Sequence, residues 1–214
     1  MRKLIFMPFV CITGALLNIV FHTLTTGENL LPLYLDTIFT ITVTLLCGPV
    51  WGSITGALTN IIGHTVNFWG WEGYLFTLCN IATALITWLF MRLFPNELIF
   101  SNQNTMVKSR QMDKVMNHIF VLMLLSFALC FAMSVLGGLI ATLIQFITSS
   151  PADELYLKAL LGSTMFHRLP VFAAEILSRI PINIIDRLIS VFLGYGIAFA
   201  LNKFVKFLLP KKQL

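Results

Sequence analysis

The sequence predicts an all-α, polytopic membrane protein: a six-transmembrane-helix bundle made by a single integral membrane domain over residues 1–214. Three observations predict it. Only 11% of the residues are charged and 57% are hydrophobic, whereas a water-soluble domain carries about 25% charged residues. A chain so poor in charge cannot cover itself for water, so most of its surface must face lipid. The apolar residues also fall into six runs, suited to the roughly 20 residues that cross a bilayer as a helix. Finally, turn-forming and polar residues collect in the breaks between those runs.

The first span covers 4–26. It follows Met1-Arg2-Lys3, as in a secretory leader, but the apolar stretch is too long for a leader core and no small-residue cleavage site follows it. Thr26-Gly27-Glu28-Asn29 and Pro32 break the chain before the second span, 33–48. Gly48-Pro49 is a tight turn into the third, 50–68. Trp69-Gly70-Trp71-Glu72-Gly73 separates it from the fourth, 74–94. A polar stretch from Pro95 to Asp113 leads to the fifth, 115–148, which is long enough to tilt or to project beyond the bilayer. The stretch 154–180 is mixed and contains His167, Arg168, Glu175 and Arg179. It reads as a partly helical segment over the bundle, either a lid or a plain loop. Pro181 opens the last span, 181–209, at a first helical position where proline is well tolerated.

Charge sets the orientation. With both termini in the cytoplasm, Arg2, Lys3, Arg92, Lys108, Arg110, Lys114, Lys203, Lys206, Lys211 and Lys212 lie inside. Lys158, Arg168, Arg179 and Arg187 lie outside, so the distribution obeys the positive-inside rule for a multi-pass protein of the plasma membrane. The net charge of +5 is therefore a topology signal and does not point to nucleic acid. Cys11, Cys47, Cys79 and Cys130 lie in apolar stretches without CxxC spacing and read as packing residues. No Walker A, HExxH or GxSxG motif occurs, and the histidines lack ligand spacing. No catalytic residue, metal or cofactor is expected.

Polar residues within apolar runs mark packing, partners or a cavity. Gly48, Gly52, Gly56, Asn60 and His64 recur every four residues and share one helix face. Its glycine end allows another helix to approach closely, while Asn60 and His64 either line a cavity or hydrogen-bond a neighbouring helix. Asn183, Asp186 and Arg187 follow Pro181. They read equally as a helix-start charge with a local ion pair, Asp186 to Arg187 or Arg179, or as ligand contacts. Asp36, Asn80, His22, Glu28 and Asn29 fall at the same depth. Trp69 and Trp71 are either an interfacial aromatic belt or a platform for a flat ligand.

Leu35-Asp36-Thr37-Ile38, then Gly48-Pro49-Val50-Trp51-Gly52 and Gly56-Ala57-Leu58-Thr59-Asn60, are similar to the second and third helices of the substrate-binding S components of energy-coupling-factor (ECF) vitamin transporters. Ile180-Pro181-Ile182-Asn183-Ile184-Ile185-Asp186-Arg187 resembles the start of their last helix. The resemblance implies a six-helix binder with its pocket open to the outside. It also implies docking through the first three helices onto a membrane-embedded coupling subunit, with two ATPase subunits driving the cycle. The small-residue docking pattern of the family is represented here by Cys11-x-x-x-Ala15 beside Gly14, with Gly48, Gly52 and Gly56 as a further part of that surface.

The resulting expectation is a subunit that captures a vitamin-sized, ring-containing molecule and has no ATPase of its own. Expected pocket residues are Asp36, Asn60, His64, Asn80, Asn183, Asp186 and Arg187, with Trp71, Glu72, Arg168 and Arg179 as loop contacts. A membrane sensor or assembly subunit would use the same bundle. An intramembrane enzyme built on His64 with Glu72 or Asp36 has no motif in its favour.

Overall fold

In lipid, backbone and side-chain polar groups must find partners within the protein, and that requirement organises this chain. The computed structural model describes residues 2–25, 33–67, 71–100, 108–148 and 170–208. The described elements are α1 (Arg2–Thr25), α2 (Ile38–Cys47), α3 (Pro49–Asn67), a 3-10 turn (Trp71–Phe76), α4 (Thr77–Leu93), α5 (Pro95–Leu98), α6 (Lys108–Thr148) and α7 (Val171–Leu208). No strand occurs among these residues, so the chain is all-α as expected.

Four stretches are long and apolar enough to cross a membrane: Met7–Thr25, Trp71–Leu93, Val115–Thr148 and Phe172–Phe204. The helices therefore fit a membrane protein, but by length and composition they number four, not six. Helix α2 has only 10 residues. Helix α3 is long enough, yet Gly52, Thr55, Gly56, Thr59, Asn60 and His64 dilute its apolar content.

Several boundaries also differ from expectation. The polar stretch after Pro95 is not all loop: α5 forms at once, and its Leu98 is fully buried. Helix α6 begins at Lys108, ahead of the expected 115, and its 41 residues rise about 60 Å. Pro181 does not open the last helix but lies within α7, which starts at Val171. Residues 171–180 continue the helix because they contain no glycine or further proline, and Glu175 and Arg179, one turn apart, pair at 3.7 Å. Proline inside a membrane helix is tolerated where neighbours compensate the missing N–H. The expected lid segment is thus partly α7, and 154–169 lies outside the described residues.

The packing inverts the pattern of a water-soluble protein. Phe131 and Phe146 are 72% and 87% exposed, whereas Thr40, Thr44, Thr55, Thr83 and Thr87 are fully buried. Each threonine hydroxyl of that kind can be satisfied on its own helix: Thr44 donates to the Thr40 carbonyl at 2.7 Å and Thr87 to the Thr83 carbonyl at 2.8 Å. Helix α2 is enclosed by α1, α3, α4 and α7, and α6 packs along α7. At one end of the bundle Ile41, Leu45, Phe90, Leu125, Leu129 and Val191 form an apolar core. Tyr195 closes this end, with its hydroxyl 2.5 Å from His118 Nε2 and 3.5 Å from the Glu97 carbonyl. Farther along α4, α6 and α7, these helices line a cavity together with α1 and α3.

Small residues set the helix spacing. A Cβ on Gly52 would overlap the Thr44 side chain, and one on Gly56 would lie 2.9 Å from the Asn80 carbonyl oxygen. Gly48 has a φ of 93° and ends α2 in the left-handed region that glycine adopts freely. Cys11 and Ala15 are buried, with Cys11 Sγ 3.4 Å from the Trp51 carbonyl. Cys11, Ala15, Gly52 and Gly56 thus pack within the bundle and are not free for the expected partner-docking role. Of the three glycines expected on that surface, Gly48 alone has open space beside it. The outward side of α1 carries Phe9, Ile12, Leu16 and Val20 instead.

This packing predicts that Gly56→Val lowers the melting temperature of the detergent-purified protein, because overpacking a tight contact costs about 1–3 kcal/mol. Gly196, where nothing lies within 4 Å of an added Cβ, should accept alanine with unchanged or slightly raised stability. Equal melting of the two variants would refute the α3–α4 contact.

Candidate functional site

The site begins with a break in regular structure. Residues 33–37 are non-helical, yet Leu35 and Thr37 are buried, so their polar groups need protein partners. Leu35 also has a φ of 42°, the left-handed region in which a leucine is strained. Three helices hold this turn. From α7, Asp186 Oδ1 accepts the Leu35 N–H at 2.8 Å, and Arg187 Nη1 donates to Thr37 Oγ1 at 2.6 Å. From α1, His22 Nδ1 lies 2.9 Å from the Tyr34 carbonyl. Asn18 Oδ1 accepts the Phe39 N–H at 2.9 Å, satisfying a first-turn amide of α2. The Asn18 amide nitrogen donates to Thr40 and to Thr59, which joins α1 to α2 and α3.

Arg187 is the centre of the charged groups. Its Nη2 lies 3.0 Å from Asp186 Oδ2 and 3.8 Å from Asp36 Oδ1. Asp36 Oδ2 in turn accepts from Asn80 Nδ2 at 3.1 Å, which ties the turn to α4. Asp186 is fully buried, while the Asp36 side chain keeps 19% of its surface. The ion pair is thus shielded on one side and open on the other.

The open side faces a cavity of about 600 Å³. Asp36, Asn60, His64, Asn80, Asn183 and Arg187 line it, six of the seven expected pocket residues, together with Arg179, one of the expected loop contacts. Asn60 donates to the Phe76 carbonyl at 3.1 Å and Asn183 to Ser134 Oγ at 2.9 Å. For Asn60, interhelical bonding and cavity lining both hold. The His64 ring packs over Gly73, where any Cβ would overlap it, and lies 5.8 Å from the Tyr74 ring. Arg179 sits 5.6 Å from the Phe76 ring centroid.

Other expected residues fall elsewhere. Asp186 does not line the cavity; it lies behind Arg187 and supports it. Trp71 is half exposed on the 3-10 turn, and neither it nor Glu72 lines the cavity. The exposed Trp71 suits an interfacial position. Arg168, Glu28, Asn29 and Trp69 lie outside the described residues. The lining also contains His22, Tyr34, Phe76 and Met133, which were not among the expected pocket residues. His22 stands one turn after Asn18, a polar pair on α1 that signals this face. Met133 carries no such signal, being an apolar residue on a mostly apolar helix.

Among the described residues, no group of three or more His, Cys, Asp or Glu side chains could hold a metal ion. Among the described residues, fold and site together define an all-helical chain, fit for a membrane, with a mostly apolar cavity that carries several polar side chains. No family model, curated protein or solved structure matches it.

The Asp186–Arg187 pair supports both a strained turn and the cavity wall. Asp186→Ala removes one buried partner and should destabilise the protein by about 3–5 kcal/mol. Asp186→Asn retains an acceptor for Leu35 and should cost clearly less. Thermal unfolding of both in detergent checks the order, and equal, mild losses would contradict it.

Proposed function

We propose that this chain is the membrane-embedded substrate-binding subunit, or S component, of an ECF-type importer of the plasma membrane. It takes a vitamin-sized molecule from outside and delivers it with a coupling subunit and ATPase subunits. The observation that carries the reading is the cavity: its volume of about 600 Å³ falls within the roughly 300–1,000 Å³ of small-molecule sites. Its character supports the same reading, since a few oriented polar groups stand among Phe76, Tyr34, Met133 and Ile19.

In this proposal the chain crosses the bilayer six times with both termini in the cytoplasm. The ten residues of α2 rise only about 15 Å, half the hydrocarbon thickness of about 30 Å. The irregular stretch 33–37 carries the chain further. Non-helical backbone at that depth is tolerated where it is buried in protein or lines a cavity, and Tyr34 and Asp36 do line one. Arg92 at the end of α4 and Lys203 near the end of α7 then lie on the cytoplasmic side, and the cavity opens outward. With Cys11 and Ala15 occupied internally, the ridge of Phe9, Ile12, Leu16 and Val20 on α1 is the docking face for the coupling subunit.

A thermal-shift screen of the purified chain against B vitamins, their precursors and nucleobases tests the reading. A true ligand at about 100 times its Kd should add roughly 2.7 kcal/mol of stability. Absence of any shift across the panel, together with copurification of a kinase in place of ATPases, would overturn it in favour of a sensor.

A further inference from the structure

Three glycines line the cavity: Gly63 on α3, Gly73 on the 3-10 turn and Gly137 on α6. Two of them make room for a side chain of the protein itself. The His64 ring takes the place a Cβ would have on Gly73, and a Cβ on Gly137 would meet the Arg179 side chain at 3.4 Å. Gly63 is different. Beyond its immediate neighbours in the helix, a Cβ there would have a single atom within 4 Å, Ile19 Cγ1 at 3.7 Å, which is an ordinary contact. The position is nevertheless buried, so the free space beside it belongs to the cavity.

Helix α3 thus carries a glycine that its packing does not require. Glycine in a helix interior is less stable than alanine, and a membrane bundle favours it where helices approach closely. Gly52 and Gly56 meet that condition against Thr44 and Asn80. At Gly63 the spacing of α1 and α3 is held one turn earlier, by the 3.0 Å bond from Asn18 to Thr59, and Ile19 comes no closer than an alanine would allow. The missing side chain leaves a notch in the cavity wall, faced by Ile19 and flanked along α3 by Asn60 and His64. Glycine is the residue that lets a ligand come close to the backbone. We propose that Gly63 sets the size of molecule the cavity accepts, and that a flat, apolar part of the ligand seats in this notch between the α3 backbone and Ile19. This inference rests on the binding-subunit reading and names a specificity-determining residue of that site.

The test uses the full chain in detergent as wild type, Gly63→Ala, Gly63→Leu and Gly196→Ala. Isothermal titration measures binding of nicotinamide, adenine, thiamine and riboflavin, which range from a single ring to three fused rings. Thermal unfolding of each protein without ligand is recorded beside it. Gly63→Leu should weaken the tightest wild-type binder of the set by about tenfold or more, and Gly63→Ala by about twofold or more. The unliganded melting temperature of Gly63→Ala should equal or exceed that of the wild type. Gly196→Ala, at an exposed position with nothing beside it, should leave affinity unchanged. A glycine required for helix packing would give the opposite pairing, with Gly63→Ala melting lower than the wild type, and that result overturns the inference. Unchanged affinity in whichever of the two Gly63 variants folds also overturns it, and the binding-subunit reading then stands. Failure of the wild type to bind any of the four compounds counts against both.

Discussion

One constraint governs this structure: a buried, non-helical turn must have its polar groups satisfied from elsewhere in the chain. Residues 33–37 cannot satisfy themselves, and Leu35 is held at a positive φ. Strain of this kind costs about 1–3 kcal/mol and persists only where the surroundings impose it. Asp186 and Arg187 impose it from 150 residues away along the chain. Their bonds to Leu35 and Thr37 place the start of α2 against α7. Asn18 then fixes α1 and α3 to the same point, and Asn80 fixes α4 through Asp36. Helices α1, α3, α4 and α7, all of which contribute to the cavity wall, are thus anchored to the turn directly or through one intermediary.

The rest of the interior follows from the same solvent logic. Lipid gives apolar side chains no reason to hide, so phenylalanines remain on the surface and small or hydroxylated residues occupy the contacts between helices. Gly52 against Thr44 and Gly56 against Asn80 bring α2 and α4 within reach of α3. That closeness allows Asn80 to bond Asp36 and Asn60 to bond the Phe76 carbonyl. The glycines therefore act on the site by setting backbone distance.

The sequence made the class of fold legible because composition and the spacing of apolar runs depend on the solvent more than on the tertiary contacts. It made much of the cavity legible for a related reason: Asp36, Asn60, Asn80 and Arg187 are polar residues in apolar surroundings, and such residues converge. Pro181 misled the reading. Taken as a helix start, it separated Arg179 from Asn183 and Arg187, whereas the continuous α7 places the three on one stripe. The glycine pattern marked a close helix contact but not which helix makes it, since a helix of the same chain and a helix of another protein require the same small surface. Met133 and Tyr34 were invisible because their role comes from position alone.

The anchoring has a consequence for how the cavity works. Asn60, Asn183, Asn80 and Arg187 are each held by a hydrogen bond to another part of the protein. Side chains fixed in this way lose little further freedom when a ligand arrives, which removes one of the main costs of binding. At the other end of the same helices, Leu125, Leu129 and Val191 form a tightly buried apolar core, so the walls cannot easily close or spread as a whole. The bundle is thus packed by apolar side chains at one end and cross-linked by hydrogen bonds at the other. Asp36 belongs to both networks that hold the site, pairing with Arg187 and accepting from Asn80.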